Sequence, residues 1–129
     1  MKSIYELDGY EEFVRKATTA VAYYFNLLER KDRGHLERYV DSSDIGIIKI
    51  ERNYFFDKAI LRTCAADDER RYEVTQSRDD GCYSLWVYNR EHFTVFRDPG
   101  DIIDQAVKTR PDMSDDIRRY IQREGAHKA

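Results

Sequence analysis

Several scarcities narrow the sequence before any motif is sought. Proline occurs twice and glycine six times in 129 residues, which excludes collagen-like, low-complexity and linker-rich chains. Cysteine occurs twice, at Cys64 and Cys82, too seldom for a disulfide scaffold. No apolar stretch approaches the roughly 18 residues of a membrane span, and Met1 to Tyr10 lacks the apolar core of a signal peptide. The expectation is a cytoplasmic protein with two reduced thiols and no membrane attachment.

An excess of one charge is lacking too. The chain sets 22 Lys and Arg against 25 Asp and Glu, a net charge of -3. Proteins that grip duplex nucleic acid draw affinity from neutralising phosphates and carry a basic excess, so a duplex partner is disfavoured. The acids alternate with basic residues instead of massing on one segment, which disfavours an acidic mimic of nucleic acid.

Motifs of chemistry are scarce as well. The three histidines, His35, His92 and His127, fall in no Cys-x-x-Cys or His-x-x-x-His spacing that would hold a metal. There is no glycine-rich phosphate loop and no Gly-x-Ser-x-Gly elbow. No metal or cofactor is expected. Asp98, Asp101 and Asp104 gather around a helix start, where acids stabilise the positive helix end; this reading outweighs a metal or acid–base pair. Cys82 and His92 flank one predicted hairpin. A Cys–His nucleophile requires that they meet beside an orienting group, and a buried thiol near a turn histidine is the simpler reading.

What is present is a globular composition. Hydrophobic residues make up 41%, enough to offset chain entropy in a single domain covering 1–129, with residues 126–129 as a frayed tail. Asp8 and Glu11 form a capping-box pattern. Tyr10, Phe13, Val14, Ala17, Val21, Tyr24, Phe25 and Leu28 then recur with helical spacing, so a long amphipathic helix follows. Lys31, Arg33 and Gly34 suit its end, and a short helical piece is expected over Leu36, Tyr39 and Val40.

From Ile45 the period changes. Ile45 to Glu51 reads as a strand, Arg52-Asn53 as a turn, and a second strand falls between Tyr54 and Cys64. Tyr72, Val74 and Gln76 alternate with polar neighbours. Asp79-Asp80-Gly81 marks a hairpin, and strands follow over Cys82 to Tyr88 and His92 to Arg97. Asp98-Pro99-Gly100-Asp101 opens a helix that Pro111 breaks; Ser114 caps a last helix ending at Gly125. The fold class is therefore α+β: a long N-terminal amphipathic helix, a four- or five-stranded antiparallel meander sheet and two short C-terminal helices.

The functional signal lies in the aromatic content. Ten Tyr, six Phe and one Trp supply the residue types that, with Arg, dominate binding hot spots. The strand from Cys82 offers Tyr83, Leu85 and Val87 on one face and Cys82, Ser84, Trp86 and Tyr88 on the other. The first helix covers one face. Either the C-terminal helices or a partner covers the second, the partner being another protein or a second copy of the chain. The expectation is a non-enzymatic protein-binding module, an inhibitor or regulator of the immunity or phage anti-defence type, with Trp86, Tyr88, Tyr83, Tyr72 and Arg119 as contacts. Two alternatives are a small-molecule or catalytic cup near Cys82 and His92, and a single-strand nucleic-acid binder, which lacks its basic groove.

Overall fold

The first helix, α1 (Tyr10–Tyr24), starts at Gly9. In this computed structural model, which describes residues 9–29, 39–63, 71–88 and 92–128, Gly9 has φ 89°, a left-handed conformation that a side chain would strain. Asp8, the expected cap, lies outside the described residues. The Gly9 carbonyl accepts the Phe13 N–H at 2.8 Å. Glu11 and Glu12 occupy the first turn, where their charge suits the positive helix end.

The amphipathic stripe holds only for the first turns, where Phe13 and Ala17 are buried while Glu11, Glu12 and Arg15 face water. From Ala20 to Leu27 every residue is buried, as in a helix enclosed by protein on all sides. The small side chains of Ala17, Ala20 and Ala22 permit that close approach. The helix then widens into a π-helical turn, Phe25–Glu29.

Lys31, Arg33, Gly34 and Leu36 lie outside the described residues. Tyr39 and Val40, expected in a short helix, are not helical. The reason is Asn26, whose buried amide competes for the Val40 backbone. Its Oδ1 accepts the Val40 N–H at 2.9 Å and its Nδ2 donates to the Val40 carbonyl at 2.9 Å. Asp41 and Asp44 then cap one another reciprocally around a 3-10 turn, Ser42–Asp44.

The sheet is a five-stranded antiparallel meander. β1 (Ile45–Arg52), β2 (Phe56–Thr63), β3 (Tyr72–Ser77), β4 (Tyr83–Val87) and β5 (His92–Phe96) lie side by side in chain order. The β3–β4 turn closes at Gly81 with φ 72°, as the Asp-Asp-Gly signal predicts. β1 is an edge strand, and its register slips between Ile47 and Lys49. That bulge twists the edge and discourages strand addition.

Period-two alternation sorts the side chains. Ala59, Leu61, Tyr72, Val74, Tyr83, Leu85, Val87 and Phe96 are buried on the inner face. α1 lies against them. Its Phe13 stacks on Tyr83 with centroids 6.2 Å apart, and its Tyr24 meets Tyr72 edge-on at 6.2 Å.

α2 (Gly100–Thr109), a 3-10 turn (Pro111–Met113) and α3 (Ser114–Lys128) complete the chain. α2 begins one residue after Pro99, and Asp101 Oδ2 accepts the N–H groups of Arg97 and Asp98. α3 continues past Gly125 to Lys128, through the expected frayed tail, because one glycine costs a helix only about 1 kcal/mol.

Both C-terminal helices join the α1 side. Ile102, Ala106, Ile117 and Tyr120 belong to the same buried cluster as the inner face, and Gln105 donates to the Val95 carbonyl at the β5 edge. Of the two covers considered for the second face, the C-terminal helices are thus not the one, because they pack on the α1 side. α1 uses them as part of its own cover.

Candidate functional site

Among the described residues, no element lies over the outer face of the sheet. Register sets its rows. One runs Lys49, Ile60, Glu73, Trp86, and the next runs Glu51, Lys58, Thr75, Ser84, Val95. Trp86 is 36% exposed and Val95 49%. Lys58 Nζ approaches Glu73 at 3.9 Å, and the Tyr88 hydroxyl donates to Glu73 Oε1 at 3.3 Å. Burial first, then the Glu73 charge and this bond, raise the Tyr88 hydroxyl above its ordinary pKa. The face is apolar toward β4 and β5 and carries charge of both signs toward β1 and β2.

The β1–β2 hairpin tip extends this face. Phe55 is 80% exposed and Tyr54 62%, the largest exposures among the large apolar side chains described. The backbone that presents them is held from beneath. Asn53 Oδ1 accepts the N–H groups of Phe55 and Phe56 at 2.8 and 2.9 Å, an Asx turn. Arg78 donates from its backbone N–H to the Phe55 carbonyl at 2.9 Å and from Nε to the Asn53 carbonyl at 2.6 Å.

Arg78 is itself anchored on Asp57. That carboxylate also takes the buried Arg52 guanidinium at 2.9 and 3.3 Å. Two arginines on one buried carboxylate make a firm base, since charge-assisted bonds in a dry setting tolerate little misalignment. Phe56, half-buried beneath Lys58 Nζ at 5.3 Å, joins the tip to the outer face.

Of the five residues singled out from sequence, Trp86 and Tyr88 lie on the outer face. Arg119 is exposed on α3, where its Nε reaches the Asp115 carbonyl at 3.4 Å. It is on the helical side of the molecule. Tyr83 and Tyr72 are inside: both are fully buried under α1 and present nothing to a partner. Adjacent residues on a strand face opposite ways, so Tyr83 lies on the face of β4 away from Trp86, and Tyr72 pairs with inward-facing Val87. The Tyr72 hydroxyl donates to buried Glu29 at 3.0 Å. Tyr83 has burial, then the charges of Glu12 and Asp57, pushing its pKa up to about 12.

Sequence reasoning passed over Tyr54 and Phe55, which lie in the segment it assigned to a strand. The available signal was Asn53, a side chain that folds back on the following backbone and marks a tight turn.

The β4–β5 register separates Cys82 from His92. Tyr83 faces Phe96 and Val87 faces His92, so Cys82 and His92 sit at opposite ends of the hairpin, about 17 Å apart along the strands. Cys82 is a free thiol whose sulfur lies 3.8 Å from the carbonyls of Tyr83 and Phe96. That backbone separation does not bring Cys82 and His92 together as a Cys–His pair requires. Among the described residues, no three His, Cys, Asp or Glu side chains converge as a metal requires, and no helix is long and apolar enough to cross a membrane. Compared with protein-family models, curated proteins and solved structures, the chain finds no match.

Proposed function

We propose that this chain is a protein-binding module that inhibits or regulates a partner by occupying its surface. The observation that carries the reading is the hairpin tip: two large aromatics facing solvent on a backbone held by Asn53, Arg78 and Asp57. Exposing Phe55 and Tyr54 does nothing for folding stability, and a contiguous apolar patch invites association. A preorganised aromatic loses little entropy on binding, which is how hot-spot residues gain affinity. Trp86, Tyr88 and Val95 extend the surface across the open face, and the mixed charges around them suit a protein partner better than a polyanion. The partner is another protein or a second copy of this chain, in the cytoplasm, where the free Cys82 thiol persists.

Native mass spectrometry of the protein purified gently from its own source tests this. The expected result is a stoichiometric protein complex, retained by wild type and lost in Tyr54→Ala/Phe55→Ala while circular dichroism stays unchanged. A complex that survives removal of Tyr54, Phe55, Trp86 and Tyr88 together would overturn the placement, and a lone monomer would overturn the reading.

A further inference from the structure

On the helical side, opposite the proposed protein-binding surface, α1, the segment 40–43 and the start of α2 line a half-open cavity of about 510 Å³, with Tyr120 of α3 in its wall. Its size falls within the range of small-molecule sites. Val40, Ala22, Pro99 and Ile103 give it an apolar lining. Gly100 leaves room at the α2 end, where an added Cβ would meet only Asp98 Oδ2, at 3.7 Å.

Three polar groups in this wall are not used by the fold. Arg15 is an exposed cation with no carboxylate partner among the described residues, although Lys16 beside it pairs with Glu12. Asp98 is a carboxylate that accepts no hydrogen bond among them; its backbone N–H, not its side chain, is engaged by Asp101. Tyr23 is only 5% exposed. Its ring packs edge-on against Tyr120 at 5.8 Å, yet its hydroxyl has no partner among the described residues. A buried hydroxyl left unbonded calls for an occupant that supplies the bond. Asp41, also in the wall, is committed to its reciprocal cap with Asp44.

Arg15 and Asp98 thus line one cavity with opposite charges that form no ion pair with each other. Bare phosphate would meet Asp98 and Asp41 as well as Arg15, and a simple cation would meet Arg15. A ligand carrying both charges meets each with its complement. We infer that this cavity binds a small zwitterion of the α-amino-acid type, its carboxylate on Arg15 and Tyr23, its ammonium on Asp98 and its side chain against Val40 and Ile103. This site is separate from the protein-binding surface and does not depend on it.

The test is a titration of the full ¹⁵N-labelled chain with each of the common L-amino acids, using propionate and ethylamine as single-charge controls. The expected result is saturable shifts at Thr19, Ser42, Ser43 and Gly100 with one or more amino acids, and binding of either control at least about tenfold weaker. Arg15→Ala and Asp98→Asn, both surface changes that leave the fold intact, each weaken binding about tenfold, and Tyr23→Phe weakens it several-fold. Two results would overturn the inference: no saturable shift up to about 10 mM of any amino acid, or binding that Arg15→Ala and Asp98→Asn leave unchanged.

Discussion

Leu85 and Trp86 are neighbours on β4 and have opposite surroundings. Leu85 is sealed beneath α1 with Val74 and Tyr83, whereas Trp86 shares the open face with Ile60 and Glu73. The same contrast runs across the whole sheet. Every helix of the described chain is spent on the inner face, and the outer face is left to side-chain pairs such as Lys58–Glu73 and Tyr88–Glu73. The inner face carries stability, and the outer face and hairpin tip are free to carry recognition.

The strongest way to test that division is through the buried ion pair. Asp57→Ala removes the carboxylate that pairs with the buried Arg52 guanidinium and anchors Arg78; we expect a loss of about 3–5 kcal/mol in urea unfolding. Glu73→Ala, on the outer face, removes two half-exposed interactions and is expected to cost less than about 1 kcal/mol. Equal losses would show that the outer face is structural.

Leu85→Ala against Trp86→Ala tests adjacent residues. The first opens a cavity and should cost about 2–5 kcal/mol, the second about 1 kcal/mol or less, read from the same denaturant curves. If Trp86→Ala is the costlier, an unseen cover lies over the outer face.

Two buried tyrosines sharpen the comparison within the inner face. Tyr72→Phe removes the hydroxyl that bonds to buried Glu29 and is expected to cost about 1–3 kcal/mol. Tyr83→Phe loses no hydrogen bond among the described residues, so a change within about 0.5 kcal/mol is expected.

The last effect is one of pH. Tyr83 ionises near 10 in the unfolded chain and only near 12 when folded, so unfolding releases a proton between those values. Its contribution is complete below pH 10 and is lost as pH rises toward 12, at up to about 1.4 kcal/mol per unit. Stability curves of Tyr83→Phe should be flatter over that window than wild type.

Much of the architecture was legible from local pattern. The β-branched run at Ile45, the Asp-Asp-Gly hairpin and the Pro111 break each act within a few residues, so neighbours suffice to read them. The candidate site was read in part. Alternation on β4 separates Trp86 from Tyr83 without any structure, yet which set is buried depends on where the helices go. Tyr72 and Tyr83 were misplaced for that reason. Phe55 was missed because its exposure follows from Asn53 and Arg78 closing a turn, and Arg78 lies 25 residues from Asn53 in the chain.

The amino-acid sequence by itself determined the element types, the antiparallel meander and the balanced charge, because periodicity, turn chemistry and composition are local or additive. Only tertiary structure decided that the described helices share one face, that Asn26 holds Val40 out of a helix and that Arg78 stiffens the tip beneath Phe55. Those outcomes depend on groups distant in the chain competing for the same partners, and a burial or a hydrogen bond is settled only when both sides of it are in place.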